Sequence, residues 1–162
     1  GRKSALDRVS PMTRWLDTDQ QRIWRTWLLG VARIDSVLGE WLRPHNLDLA
    51  EYEILVVLSE AEDRHMRMSD LALLVHQSRS RLTHTVSRLE AEGLVSRERT
   101  CTDGRGVFAT LTDRGMSKLV EAAPRHVESV RKIFVDAVTP EDFEAIGRAM
   151  AAVLAVDIDE ES

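Results

Sequence analysis

Apolar residues recur at threes and fours from Asp19 to about Leu42: Trp24, Trp27, Leu28, Val31, Ile34, Leu38, Trp41 and Leu42. That spacing puts one apolar stripe on a long helix, which Pro44 should end. The same period predicts a second helix from about Ala50 to Glu60, carried by Tyr52, Leu55, Val56 and Leu58. The polar run Ala61–Arg67 reads as a loop. Ser69 has the position of an N-cap for a short apolar helix over Leu71–Val75. After the polar break His76-Gln77-Ser78, a further helix runs to about Glu92, and Gly93 is placed to end it. Two β-rich runs, Leu94–Thr100 and Val107–Leu111, predict a hairpin around Asp103-Gly104. Thr112 is the expected cap of a helix reaching about Ala137, with a kink or break at Pro124. Thr139-Pro140-Glu141-Asp142 supplies a cap, a first-turn proline and first-turn acids for a last helix bearing Phe143, Ile146, Met150, Val153 and Leu154.

The order helix, short helix, tight turn, helix, hairpin is that of a winged helix-turn-helix. The expected fold class is mainly α with a small β-hairpin wing. A winged lobe occupies residues 49–111, and N- and C-terminal dimerisation helices occupy 1–48 and 112–162. At ~100° per residue, Leu82, Val86 and Leu89 fall on one side of the helix from Ser78 to Glu92. Ser80, Arg81, His84, Ser87 and Arg88 fall on the other. Such a face is either solvated surface or a surface for the major groove, where arginine bonds guanine bidentately and Ser, Thr and His pair with bases or phosphate. A generic polar face alternates Glu with Lys, and this sector has no acid before Glu90, which favours the groove. Arg97, Arg99 and Arg105 put three guanidiniums on the hairpin, suited to minor-groove or backbone contact. Asp103 either serves the Asp-Gly turn or pairs with an arginine there. The Ser69 end of the short helix is a candidate phosphate contact.

Charge bears on this reading. The chain is 43 % hydrophobic and 30 % charged, with a net charge of −5, which at first opposes a nucleic-acid partner. From His76 to Gly106, however, six arginines (Arg79, Arg81, Arg88, Arg97, Arg99, Arg105) face four acids (Glu90, Glu92, Glu98, Asp103). Local positive potential is what a DNA contact surface needs. No apolar run approaches the ~18 residues of a membrane span, and Gly1-Arg2-Lys3-Ser4 lacks the apolar stretch of a secretory signal. A single cysteine, Cys101, suits a reducing compartment, so a cytoplasmic location is expected.

From Met68 to Gly115 the chain resembles the MarR family of bacterial regulators. The resemblance rests on Ser69-Asp70-Leu71-Ala72, on the block Leu82-Thr83-His84-Thr85-Val86-Ser87-Arg88-Leu89-Glu90-Ala91-Glu92-Gly93-Leu94-Val95, on Asp103-Gly104-Arg105-Gly106, and on Leu111-Thr112-Asp113-Arg114-Gly115. It implies a homodimer whose first and last helices interlock and whose two lobes reach a pseudo-palindromic site on double-stranded DNA. It further implies that Arg105 enters the minor groove while Ser78–Arg88 reads the major groove. The candidate DNA-binding residues are Ser69, Ser78, Arg79, Ser80, Arg81, Thr83, His84, Ser87, Arg88, Arg97, Arg99, Asp103 and Arg105. The apolar stripes of the flanking helices independently exceed what one small lobe would cover.

The resemblance also implies a small aromatic, phenolic or other anionic effector that releases the DNA, and the expected mode is repression. Its candidate residues are Trp15, Trp24, Trp27, His45 and Tyr52, with Arg14 as an anion partner beside Arg25. Trp24, Trp27 and Trp41 lie on the apolar stripe, which favours dimer core over ligand pocket for them. No cofactor or metal is expected: His45, His65, His76, His84 and His126 form no HxxxH pair and there is no CxxC. Relatives that sense peroxide use a cysteine near the N-terminus, where this chain has none. Neither a phosphate-binding glycine loop nor GxSxG occurs, so an enzyme is not expected. The alternative function is a winged-helix protein-interaction module that does not bind DNA.

Overall fold

The computed structural model describes residues 12–99 and 106–158. The chain forms two compact units, Gly1–Arg33 and Ile34–Ser162, whose boundary falls inside the first helix, α1 (Thr18–Leu42). In the first unit, α1 opens with a reciprocal cap. The Gln20 backbone N–H donates to Asp17 Oδ1 at 2.8 Å, and the Asp17 N–H donates to Gln20 Oε1 at 3.0 Å.

In the second unit α1 passes into a single 3-10 turn, Arg43–His45, that holds Pro44; Asn46 then turns the chain in a left-handed conformation, φ 55°. Asp48 caps α2 (Leu49–Glu60) by accepting the Glu51 N–H. The expected loop Ala61–Arg67 instead contains a 3-10 turn, Glu62–Arg64, and a short strand, β1 (His65–Arg67). This strand leads straight into α3 (Met68–Leu74), so Arg67 holds the cap position and no side chain caps the helix. Ser69 is therefore not the N-cap; it lies inside the first turn. His76, at φ 51°, makes the left-handed reversal between α3 and α4 (Arg79–Ala91). Ser78 caps α4 through its hydroxyl, which accepts the Arg81 N–H.

Gly93, at φ 73°, ends α4 in a Schellman turn: its N–H donates to Glu90 O, and that of Leu94 to Leu89 O, both at 3.0 Å. The hairpin follows as β2 (Val95–Arg99) and β3 (Val107–Leu111), with Arg97 opposite Ala109. β1 adds to the other edge of β3, giving an antiparallel sheet of order β1-β3-β2. Thr112 caps α5 (Asp113–Val130) by accepting the Gly115 N–H, and its hydroxyl donates to Gly93 O at 2.6 Å. α5 does not break at Pro124. That residue is exposed and stands within an unbroken helix, where it removes only the hydrogen bond to the Val120 carbonyl. The irregularity falls later, in a π-helical turn at Arg131–Val135. Thr139 and Pro140 start α6 (Pro140–Leu154) as expected.

One core organises this unit. Leu42, Ile54, Leu55, Leu58, Leu71, Leu82, Val86, Leu89, Leu94 and Val95 are all buried in it, so α2, α3, α4 and the root of the hairpin share a common interior. The helix-turn-helix is thereby a rigid platform and not a pair of loosely joined helices.

Candidate nucleic-acid interface

α4 divides as its periodicity requires. Leu82, Thr85, Val86 and Leu89 are buried, and Arg79, Ser80, Arg81, Thr83, His84 and Arg88 are exposed. The exposed residues of the first two turns carry two guanidiniums, hydroxyls and an imidazole, and no carboxylate. Thr83 and Ser87 donate back to the carbonyls of Arg79 and Thr83, each at 2.8 Å. Their hydroxyl protons are spent inside the helix, and their oxygens keep accepting capacity.

Next to this face lies a cleft of about 330 Å³ lined by Arg67, Ser69, Arg79, Thr83 and the start of β3. Two guanidiniums and the Ser69 hydroxyl converge there, a donor set that suits a backbone phosphate. The Arg67 guanidinium lies 5.1 Å from the centre of the Phe108 ring, its cross-strand partner, and that ring stacks on His65 at 4.2 Å. Arg67 escaped the sequence reading because its strand did. Its signal in the sequence is a basic residue immediately ahead of a short helix.

Two expected contacts have other partners. Arg97 is not a projecting wing cation. Its Nη2 donates to Glu90 Oε1 and to Ser87 Oγ, both at 3.1 Å, and its backbone N–H donates to Glu90 Oε2 at 2.9 Å. The Arg97 pair holds the Glu90 carboxyl below its usual range. Arg97 shares a strand face with buried Val95, and that face packs toward α4. It therefore ties the hairpin to α4. Arg99 is exposed at the outer end of β2. Asp103, Arg105 and Cys101 lie outside the described residues.

Arg88 is bonded from the opposite side. Its Nη2 lies 3.1 Å from Asp48 Oδ2 and 3.7 Å from Glu51 Oε1. Asp48 thus caps α2 with one oxygen and receives the guanidinium with the other. Glu51 is buried, and burial, followed by its hydrogen bond to Asp48 and that group's charge, raises its pKa to about 7; Arg88 opposes the shift. A raised folded pKa means that the native state binds the proton more tightly than the unfolded chain. This contribution is complete below about 4.5 and is lost as pH rises through about 7. Glu51→Gln is expected to flatten the fall in stability across that interval. Urea titrations of both proteins at pH 5 and pH 8 test it, and equal pH slopes would refute it.

The effector residues fare unevenly. A cavity of about 530 Å³ opens between the end of α1, α2, the end of α3 and α5; Tyr52 lines it and His45 does not. His45 Nδ1 sits 3.6 Å from Glu121 Oε1 instead. Arg14, Trp15, Trp24 and Trp27 belong to the first unit, where all four are exposed. Among the described residues, no helix is long and apolar enough to cross a membrane.

Residues 37–122 match the family model described as transcriptional regulator SarA/Rot. The structure resembles that of AbsC, a MarR family transcriptional regulator from Streptomyces coelicolor. The TM-score is 0.83 at 44 % identity, covering 88 % of this chain and 96 % of AbsC. It also resembles Sco3205, a MarR family transcriptional regulator from the same organism solved in complex with DNA. There the TM-score is 0.86 at 37 % identity, covering 93 % of this chain and 95 % of the other. The curated repressor YetL of Bacillus subtilis is 23 % identical over 101 residues, which are 62 % of this chain and 60 % of YetL's length. With two closely similar full-length folds and a family model over its winged lobe, the chain belongs to the MarR family of transcriptional regulators.

Proposed function

We propose that the protein is a sequence-specific DNA-binding regulator that acts as a homodimer on a pseudo-palindromic operator in the cytoplasm, and that it represses. The observation that carries this reading is the acid-free, exposed face of Arg79, Ser80, Arg81, Thr83 and His84 beside the Arg67–Arg79 cleft. The first two turns of α4 enter the major groove, the cleft takes a phosphate, and the wing reaches the neighbouring backbone or minor groove. Sco3205 was solved on DNA, and YetL is a repressor; both support the same role here. The winged-helix interaction module remains the competing function.

Salt separates the two. Affinity for a duplex selected from random sequence should fall steeply between 50 and 200 mM salt, by roughly a thousandfold if about six phosphates are neutralised. Protein docking through apolar surface would hardly respond. Arg81→Ala is expected to weaken binding to the selected duplex by about 1–3 kcal/mol and binding to unrelated duplex less. Fluorescence anisotropy with both duplexes reads this, and a uniform loss would remove Arg81 from base recognition.

Dimerisation is supported by apolar groups left outside the core: Phe143, Val153 and Leu154 on α6, and Ile23, Trp24, Leu28 and Leu29 on α1. A monomer would present these to water. Light scattering should return twice the chain mass, and a monomer mass at every concentration would end the two-fold reading. The cavity lined by Tyr52 is the candidate effector site.

A further inference from the structure

The cavity between α1, α2, α3 and α5 has a chemical character of its own. Leu38, Leu49, Val56, Val57 and Leu74 give it an apolar wall, and its volume of about 530 Å³ lies in the range of small-molecule sites. Its ionisable lining consists of Asp35, Glu53, Tyr52, His76 and His126, with no arginine or lysine.

Four of these groups lack a hydrogen-bond or ion-pair partner among the described residues. Tyr52 is only 5 % exposed; its ring lies 4.1 Å from that of His126, and its hydroxyl makes no hydrogen bond among the described residues. A buried phenol ordinarily has one. His126 Nδ1 is buried and likewise has none. Asp35 and Glu53 make no ion pair among the described residues, and Asp35 disfavours the charge on Glu53. Both side chains reach solvent; the Glu53 carboxyl is pushed up by partial desolvation first and by Asp35 second, while His76 pulls it back. Burial raises the Tyr52 pKa and lowers that of His126, so both present neutral rings and unspent hydrogen-bonding groups. An anionic ligand would meet two carboxylates and neither arginine nor lysine. A ligand carrying a positive charge would relieve their repulsion.

We propose that this cavity binds a small aromatic amine, with its ring between Tyr52 and the aliphatic wall and its ammonium beside Asp35 and Glu53. This reverses the anionic effector expected from the sequence. That binding there controls DNA release rests on the effector reading above.

Three indoles that share a ring and differ in charge test the ligand class: tryptamine, indoleacetate and tryptophol, each titrated calorimetrically into the full chain at low salt. Tryptamine is expected to bind at least about tenfold more tightly than indoleacetate, with tryptophol between them. The double variant Asp35→Asn/Glu53→Gln should bring the three to within about twofold of one another, with the circular dichroism of the wild type. Indoleacetate binding as tightly as tryptamine, a preference untouched by the double variant, or no binding of tryptamine would each overturn the proposal. A parallel titration of tryptamine into a preformed DNA complex isolates the regulatory part. Amine binding with the expected preference but no release of DNA would support the ligand class and overturn only the effector reading.

Discussion

Gly115→Ala is expected to cost about 3 kcal/mol or more of folding stability, because the added carbon has nowhere to go. Gly115 lies in the first turn of α5, where a Cβ would collide with the Leu94 carbonyl oxygen and lie 2.6 Å from Leu111 Cδ1. The first obstacle is backbone and cannot rotate aside. It is also pinned, since the Leu94 carbonyl accepts the Thr112 N–H at 3.1 Å and the Thr112 hydroxyl bonds Gly93. Relief would pull the end of the recognition helix away from the start of α5. Urea denaturation of the variant measures the loss, and a change below about 1 kcal/mol would show that this junction yields more readily than close packing permits.

Leu89→Ala should destabilise by about 2–5 kcal/mol. Leu89 is fully buried, and its carbonyl accepts the Leu94 N–H that closes α4. It anchors the buried side of α4, while Arg81 lies on the exposed side. The two variants should therefore separate. Leu89→Ala lowers the unfolding midpoint while the folded fraction retains most of its DNA affinity. Arg81→Ala, at an exposed position, changes stability by no more than about 0.5 kcal/mol and loses DNA affinity. Thermal unfolding paired with anisotropy on both proteins decides the matter; a Leu89→Ala midpoint equal to that of the wild type would contradict the packing described here.

Much of the scaffold was legible because it depends on local chemistry. Thr112 and Thr139 cap helices as their positions predicted, and Gly93 ends α4, since a hydroxyl or a left-handed turn acts within a few residues of itself. The apolar triad Leu82, Val86 and Leu89 fixed which side of α4 is buried. What escaped depends on distant partners. β1 is three residues, two of them polar, and exists because β3 offers a free edge 40-odd positions later. Its presence moved the cap position from Ser69 to Arg67. Arg88 looked free in sequence, yet its partners Asp48 and Glu51 lie on another helix. Arg97 could have been assigned more closely: two-residue alternation from Val95 places it on the inward face of β2.

The position of β3 in the middle of its sheet constrains how such a protein can change. Both neighbours read their register from it, with Ala109 facing Met66 on one side and Arg97 on the other. Inserting one residue within β3 would turn Ala109 and Leu111 out of the core and drive Phe108 in, in both ladders at once. Chain added between Arg99 and Val107 would disturb neither ladder, and each doubling of that connection costs only about 0.6 kcal/mol. Evolution or engineering can thus lengthen the wing's reach freely while its footing on the lobe tolerates almost no indel.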